Sequence, residues 1–317
     1  MKLKKTHILS ILFVCILLGS LFLLYILGVF VSNQYQESIF SAELIQTDSI
    51  NGENFHNHIH AIQYDSINEQ LFVATHFGIY VVQDNELFWL NETSYDYMAF
   101  AINKENPNIM YASGHAPFTG NLGVMQSVDG GKTWTRILSN IGSNRPLDFH
   151  SMTSSMVDTD IVAGYYHGAI YTTIDGGENW QRFNVDLPQG ACAGAPCLIF
   201  DTQNSQRLYA GTLEGLYRSN NLGQRWELAE EGIFGAAAVH PDNNQELVFF
   251  RDFEIIRKDL NSGDEEVLEF SNIELEENEF ILQFEYDLNN TNVVYIFTSS
   301  SKAYELNFDT MNGRRII

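Results

Sequence analysis

The stretch Ser127-Val128-Asp129-Gly130-Gly131-Lys132-Thr133-Trp134 is a short turn motif, and the chain repeats it. A second complete copy covers Thr173-Ile174-Asp175-Gly176-Gly177-Glu178-Asn179-Trp180, and a weaker copy covers Ser219-Asn220-Asn221-Leu222-Gly223-Gln224-Arg225-Trp226. A decayed copy precedes them over residues 82–89. The four tryptophans of the chain end the four copies, at spacings of 45, 46 and 46 residues. A fixed period of this length indicates a repeat architecture.

The residue types of the motif suit a tight turn that leads into a β-strand. The Ser or Thr hydroxyl and the Asp carboxylate can accept hydrogen bonds from backbone N–H groups of the turn. The glycines adopt positive φ without a Cβ penalty, and the Trp packs across the hairpin. We therefore predict a structural role for the key positions of the three clear copies: Ser127, Asp129, Gly131, Trp134, Thr173, Asp175, Gly177, Trp180, Ser219, Asn221, Gly223 and Trp226.

The motif resembles the Asp-box (BNR) repeat of sialidases, sortilin-type receptors and photosystem II assembly factor-like proteins. In those families the box lies on the turn between the third and fourth strands of a β-propeller blade. The resemblance therefore implies an all-β propeller. The box fixes a hairpin and carries no catalytic group, so by itself it implies nothing about activity.

The first 32 residues differ in composition from the rest of the chain. Residues 1–6 contain three lysines, and residues 7–32 are almost wholly apolar. That run exceeds the roughly 20 residues that a membrane-spanning helix needs, and the preceding lysines favour a cytoplasmic N-terminus. We expect a cytoplasmic tail over 1–6, a transmembrane signal anchor over 7–32 and a single-pass protein in the cell membrane whose C-terminal domain is extracytoplasmic. A cleaved signal peptide is the alternative.

The chain carries a formal net charge of −23. Such an acidic domain argues against nucleic-acid partners and against binding to an anionic lipid surface. We therefore expect the membrane to be contacted only through the N-terminal helix. The charge is compatible with cationic ligands, metal ions among them.

Residues 56–317 divide into six units of short β-rich runs separated by Gly, Asn and Asp turns. The pattern predicts a six-bladed β-propeller, with seven blades as the alternative. Residues 33–55 are expected to form a linker, in which Ile39–Gln46 alternates well enough to be an extra strand that closes the ring.

The histidines occupy equivalent places in the units. His60 and His150 begin first strands, whereas His76, His115 and His167 end second strands. In a propeller these two places lie on one face of the disc, called the top face here. We therefore expect the five imidazoles to converge near the mouth of the central channel. Further residues expected on this face are His58, Asp148, Cys192, Cys197, Arg251 and Asp252.

Clustered imidazoles are suited to Zn²⁺ or Cu²⁺, because neutral nitrogen is a borderline-soft ligand. The alternative is that each histidine caps a strand end and bonds only to backbone. For Cys192 and Cys197 a local disulfide is the default outside the cytoplasm. Free thiols or soft-metal ligands are the alternatives for the pair.

Four short stretches indicate a more specific resemblance, to a bacterial extracytoplasmic Asp-box family often labelled glycosyl hydrolase. These stretches are residues 58–60, 74–78, 113–115 and 148–150. That label implies a glycoside hydrolase of sialidase-like type. Most glycosidases need two positioned carboxylates, and the resemblance to sialidases would imply a Tyr nucleophile with a Glu partner and an arginine cluster. The sequence shows no arginine triad, and it does not identify an acid and a base.

The sequence thus favours a membrane-anchored extracytoplasmic propeller that works in binding or assembly through a histidine-rich, metal-binding top face. Its ligand there is an unidentified protein or glycan. One alternative is a glycoside hydrolase that uses the same face. The other is a protein-interaction scaffold without metal.

Overall fold

The computed structural model describes residues 45–46, 58–83, 86–90, 95–116, 120–141 and 145–317. The regular elements in these ranges are all β-strands. No helix within them is long and apolar enough to span a membrane. The predicted tail over 1–6, the predicted anchor over 7–32 and most of the predicted linker lie outside the described residues.

The strands form six antiparallel sheets, each built from consecutive strands. Blades 1 and 2 contain β1 (Ile45–Gln46), β2 (Ile59–Asp65), β3 (Gln70–Thr75), β4 (Gly78–Gln83) and β5 (Glu86–Trp89), then β6 (Asp96–Ile102), β7 (Met110–Ala116), β8 (Gly120–Ser127) and β9 (Thr135–Leu138). Blades 3 and 4 contain β10 (Ser151–Ser154), β11 (Val162–Tyr166), β12 (Ala169–Thr173) and β13 (Gln181–Asn184), then β14 (Cys197–Phe200), β15 (Leu208–Gly211), β16 (Gly215–Ser219) and β17 (Glu227–Glu231). Blades 5 and 6 contain β18 (Phe234–His240), β19 (Asn243–Arg251), β20 (Glu254–Asp259) and β21 (Glu265–Val267), then β22 (Ile281–Tyr286), β23 (Val293–Thr298), β24 (Ala303–Asn307) and β25 (Asn312–Arg315). The all-β six-bladed propeller is confirmed.

The first strand of each blade lies at the centre of the ring, where β2, β6, β10, β14, β18 and β22 follow one another. They enclose a central cavity of about 110 Å³. The apolar cores lie between neighbouring blades, as in the cluster that joins Phe72 of blade 1 to Phe100 of blade 2. Each sheet is therefore covered on both faces, which is why β3 reads as a continuous buried run without polar alternation.

The ring closes between blade 6 and blade 1. The Gln283 side chain accepts a hydrogen bond from Ile62 N at 3.0 Å and donates one to Ile62 O at 2.7 Å. Blade 6 takes all four of its strands from the C-terminal part of the chain. Of the segment predicted to close the ring, Ile45–Gln46 is described, and it pairs with the outer strand β5 of blade 1. These two residues widen blade 1 and do not complete blade 6.

The three clear copies of the turn motif lie between the third and fourth strands of blades 2, 3 and 4, as predicted. In blade 2, Ser127 Oγ accepts from Gly131 N at 2.8 Å, and Asp129 Oδ1 accepts from Thr133 N at 2.9 Å. The same pair of bonds recurs in the other two copies. Each turn is therefore closed by its own hydroxyl and carboxylate or amide side chain.

The turns also contact the preceding blade. Gly176 O in blade 3 accepts hydrogen bonds from Tyr111 Oη at 3.1 Å and from Gln126 Nε2 at 2.9 Å, both in blade 2. A Cβ on Gly177, which has φ +98°, would lie 2.5 Å from Ile137 Cδ1. Glycine is thus required here both by its backbone conformation and by the close approach of the neighbouring blade.

We predict that Asp129→Ala lowers the free energy of unfolding by about 1–3 kcal/mol, because turn donors lose their acceptor. The top face should be unaffected, since the turn lies at the outer edge of the blade. Urea unfolding measures the change, with Asp186→Ala at an exposed position as the matched control. An unchanged unfolding midpoint in Asp129→Ala would contradict the structural role.

Candidate functional site

Two aspartates and four of the five predicted histidines meet at one end of the central cavity. They come from the starts of first strands and the ends of second strands in blades 1 to 3, as the repeat register requires. We call this set the mouth cluster: His60, His76, Asp96, His115, Asp148 and His150. Its donor atoms form two groups of three.

The first group contains His60, His76 and Asp96. His60 Nε2 lies 3.3 Å from His76 Nδ1. The Asp96 carboxylate lies 3.4 Å from His60 Nε2 through Oδ1 and 2.9 Å from His76 Nδ1 through Oδ2. The two imidazole nitrogens are thus close to each other, and each is also close to one oxygen of the Asp96 carboxylate.

The second group contains His115, Asp148 and His150. Asp148 Oδ2 lies 2.6 Å from His115 Nε2 and accepts a hydrogen bond from His150 Nε2 at 3.1 Å. The other ring nitrogen of His115, Nδ1, lies 3.6 Å from Asp96 Oδ2. His115 therefore stands between the two carboxylates and links the two groups.

The surroundings of the cluster shift the pKa values of two of its groups, Asp96 and His150. Burial by itself would raise the pKa of Asp96, but hydrogen bonds with His60 and His76 outweigh it and hold this pKa at about 2. The hydrogen bond to Asp148 raises the pKa of His150, and burial opposes that shift. The Asp96 carboxylate is therefore ionised at neutral pH, and His150 binds its proton more tightly than an exposed histidine does.

One carboxylate oxygen of the cluster, the buried Asp148 Oδ1, has no hydrogen-bond partner among the described residues. Asp96 Oδ1 is buried as well and lies 3.4 Å from His60 Nε2. Asp148 is only 6% exposed. A buried carboxylate oxygen without a partner is costly, and a bound cation would satisfy it.

The spacing of the first group matches a metal site. Metal–nitrogen bonds of about 2.0–2.1 Å place the ligand atoms of a tetrahedral ion about 3.3 Å apart. His60 Nε2 and His76 Nδ1 lie 3.3 Å apart, and each faces a different oxygen of Asp96, at 3.4 Å for Oδ1 and 2.9 Å for Oδ2. The donor sets of two imidazoles and one carboxylate are of the kind that hold Zn²⁺ with one coordination position open.

His167 belongs to neither group. It is exposed in the turn between β11 and β12, where its backbone has φ +45°. Its ring packs edge-on against the neighbouring Tyr166, with ring centroids 4.3 Å apart. Although its strand position matches those of His76 and His115, it does not supply a donor atom to the mouth cluster.

The remaining predicted top-face residues have other partners. His58 is exposed, and its ring centroid lies 5.3 Å from that of His76. Arg251 pairs with Glu265 of the outer strand β21 at 2.6 Å. Asp252 accepts a hydrogen bond from Ile233 N at 3.3 Å. The structure therefore places His58 beside the first group and leaves the Arg251-Asp252 pair outside both groups.

Cys192 and Cys197 form the local disulfide, so in this state neither offers a thiolate to a metal. Both line the central cavity. The short loop that they close carries Ala193, whose carbonyl oxygen lies 3.2 Å from His150 Nδ1. The loop thereby orients His150 so that its Nε2 faces Asp148.

Asp96 is the site residue that the histidine pattern alone did not identify. It begins β6 and pairs with His115, so it occupies the place in blade 2 that corresponds to His58 in blade 1, because Tyr97↔Gly114 matches Ile59↔Thr75. A search of that position for any metal-binding side chain, rather than for histidine only, would have found it.

The comparisons with known proteins agree with the architecture. No known protein family matches the sequence, and no curated protein matches it. Among solved structures, the GH74 enzyme of Niastella koreensis is similar with a TM-score of 0.55 and 14% identity, over 81% of this chain and 53% of that chain. The GH74 xyloglucanase from Xanthomonas campestris is similar with a TM-score of 0.55 and 11% identity, over 82% and 45%.

YCF48 bound to D1 peptide is also similar, with a TM-score of 0.50 and 16% identity, over 86% of this chain and 84% of that chain. The chain spans about half the length of the two GH74 enzymes. At these identities the likeness shows the propeller fold and carries no activity with it.

We predict that Asp96→Asn destabilises the metal-free protein by about 2 kcal/mol at pH 5, the free energy that corresponds to a pKa lowered from 3.8 to about 2. Because the folded-state pKa is the lower one, this stabilisation is present above pH 3.8 and is lost as the pH falls toward 2. Urea unfolding between pH 5 and pH 2 with a chelator present measures it, with Asp186→Asn as control. If the free energies of unfolding of wild type and Asp96→Asn differ by a constant amount from pH 5 to pH 2, the pairing of Asp96 with the histidines is contradicted.

Proposed function

We propose that the chain is an extracytoplasmic binding module that holds a transition metal ion, Zn²⁺ or Cu²⁺, in the mouth cluster and uses it to bind a ligand. The observation that carries the proposal is the spacing of the two groups, each with two imidazole nitrogens and one carboxylate oxygen. Each group offers three protein ligands, the number that leaves a coordination position open to a ligand from solution.

The contacts of the other ring nitrogens of His150 and His115 also support a metal site. Ligating imidazoles usually donate their other N–H to a carbonyl or a carboxylate, which fixes the ring. His150 meets that condition through Ala193 O at 3.2 Å, and His115 faces Asp96 through its Nδ1 at 3.6 Å. These contacts therefore help to fix the orientation of the His150 and His115 rings.

A glycoside hydrolase is the less well supported alternative. The carboxylates of the mouth cluster, Asp96 and Asp148, both contact imidazole nitrogens. A glycosidase needs a general acid whose pKa is raised, whereas the pKa of Asp96 is lowered to about 2. The likeness to GH74 enzymes lies in the fold, and YCF48 bound to D1 peptide has a similar fold as well.

We predict that the full chain, purified in detergent and stripped with a chelator, binds Zn²⁺, and that His76→Ala and His150→Ala each weaken binding at least tenfold. His167→Ala is the matched control and should leave binding unchanged, because His167 lies outside both groups. Isothermal titration calorimetry measures the affinities, and circular dichroism checks the fold. Equal losses in all three variants, or no binding by the wild type, would overturn the metal proposal.

The same titration should depend on pH. Protons compete with the metal for imidazole nitrogens, so affinity falls as the pH is lowered. The pKa of His150 lies above the usual 6.5, so the loss at the second group should begin at higher pH than for an unperturbed imidazole.

We also propose that residues 7–32 anchor the propeller in the cell membrane, with the acidic domain on the extracytoplasmic side. The proposal rests on the apolar run over residues 7–32 and on the three lysines that precede it. In native cells the chain should remain in the membrane pellet after an alkaline wash, and a variant that lacks residues 1–32 should be released. A soluble native chain that begins near residue 33 would contradict the anchor.

A further inference from the structure

We infer that the mouth cluster holds two metal ions, joined through His115, and that the pair binds an oxyanion such as a carboxylate. The inference rests on the proposed metal binding and goes further in three respects: the number of ions, the link between them and the chemical class of the ligand.

Each group is complete without the other. Two imidazole nitrogens and one carboxylate oxygen converge in the first group, and the same set converges in the second. Two imidazoles and one carboxylate are a sufficient protein ligand set for a catalytic or ligand-binding zinc ion. The cluster therefore has the ligands for two ions, with none left over.

The ring of His115 separates the two positions. Its Nε2 lies 2.6 Å from Asp148 Oδ2, whereas its Nδ1 lies 3.6 Å from Asp96 Oδ2. An ion bound to Nε2 is thus on the side of the ring away from Asp96. A single ion with metal–nitrogen bonds of about 2.0–2.1 Å cannot reach both sides, so the first group needs an ion of its own.

A buried oxygen without a partner provides an independent observation. Asp148 is only 6% exposed, and its Oδ1 lacks a hydrogen bond among the described residues. A cation in the second group would satisfy this oxygen. In the first group, Asp96 Oδ1 is also buried and lies 3.4 Å from His60 Nε2.

The contact between His115 and Asp96 couples the two sites. An ion on His115 Nε2 makes the ring a stronger donor through Nδ1–H, toward a carboxylate that ligates the first ion. Loss of His115 should therefore remove the second ion and also loosen Asp96 in the first site.

Charge points to the class of ligand. Two divalent ions bring four positive charges, and the two aspartates neutralise two of them, so the loaded mouth is cationic in a chain whose net charge is −23. Each ion keeps one open position. An oxyanion that takes one open position is also attracted by the second positive ion beyond the His115 ring, which identifies carboxylate or phosphate groups as the ligand class.

The experiment is a Co²⁺ titration of the chelator-stripped full chain in detergent, followed by visible absorption and by metal analysis. We expect two ions per wild-type chain, one per chain in His60→Ala and in His150→Ala, and two in the control His167→Ala. In His115→Ala we expect one ion, bound about tenfold more weakly than the ion that remains in His150→Ala. Circular dichroism verifies the fold of each variant.

Acetate is then added as the oxyanion probe. It should change the Co²⁺ spectrum of the wild type at a concentration about tenfold lower than in either one-ion variant. One ion per wild-type chain, lost completely in both His60→Ala and His150→Ala, would overturn the two-ion inference and leave the metal proposal standing. Two ions with no spectral response to acetate would overturn the oxyanion ligand, and no bound metal at all would overturn the proposed function itself.

Discussion

Face-to-face packing of neighbouring sheets is the constraint on which this structure depends. A four-stranded sheet cannot bury both faces alone, and each blade here uses its neighbours to do so. The apolar clusters accordingly bridge adjacent blades, and the cluster containing Ile62 and Phe297 bridges the first blade and the last. The ring must therefore close if every blade is to be covered. The two hydrogen bonds between Gln283 and Ile62 contribute to this closure, because they join the last blade to the first.

The repeated turns serve the same closure from the outer edge. Each turn fixes its own hairpin through a Ser or Thr hydroxyl, and its glycines permit close approach to the blade before it. The bonds from Tyr111 and Gln126 to Gly176 O show this directly. Blades 5 and 6 lack the motif, and Phe253, between β19 and β20, packs against Phe280, just before β22, with ring centroids 5.1 Å apart. The repeat is thus a device for stacking sheets, and it leaves the top face free to vary.

The mouth cluster is a consequence of this ring. Starts of first strands and ends of second strands meet where the inner strands are closest, so side chains from three blades approach within hydrogen-bond distance. That arrangement concentrates imidazoles and two carboxylates in a partly buried place, where Asp96 stays ionised and Asp148 has an oxygen without a partner among the described residues. The net charge of −23 favours cations, and a pair of bound cations would reverse the local charge and select an anionic ligand.

The sequence alone predicts those features of the structure that depend on local interactions. The turn chemistry is local, so the motif at 127–134 and its copies predicted the hairpins and the repeat spacing, and the β-rich runs between turns predicted the six blades. The bond between Cys192 and Cys197 was expected because the two cysteines are close in sequence in a domain predicted to lie outside the cytoplasm. The register also predicted that His60, His76, His115 and His150 approach one another, because equivalent strand positions share one face. The register also placed His167 among these converging histidines. In the structure His167 lies in the β11–β12 turn with a positive φ, and counting strand positions does not predict this conformation.

Only the tertiary structure decided the pairing of these side chains. The sequence placed residues on a face, but the distances within a face depend on how far apart six blades hold their inner strands, which no local rule specifies. Asp96 as a shared partner, the position of Asp148 between two imidazoles and the contact of Ala193 O with His150 are all of this kind. The sequence by itself therefore determined the architecture and the face that carries the site, through short-range turn and strand chemistry. The division of that site into two groups arose only when ring closure brought distant blades together.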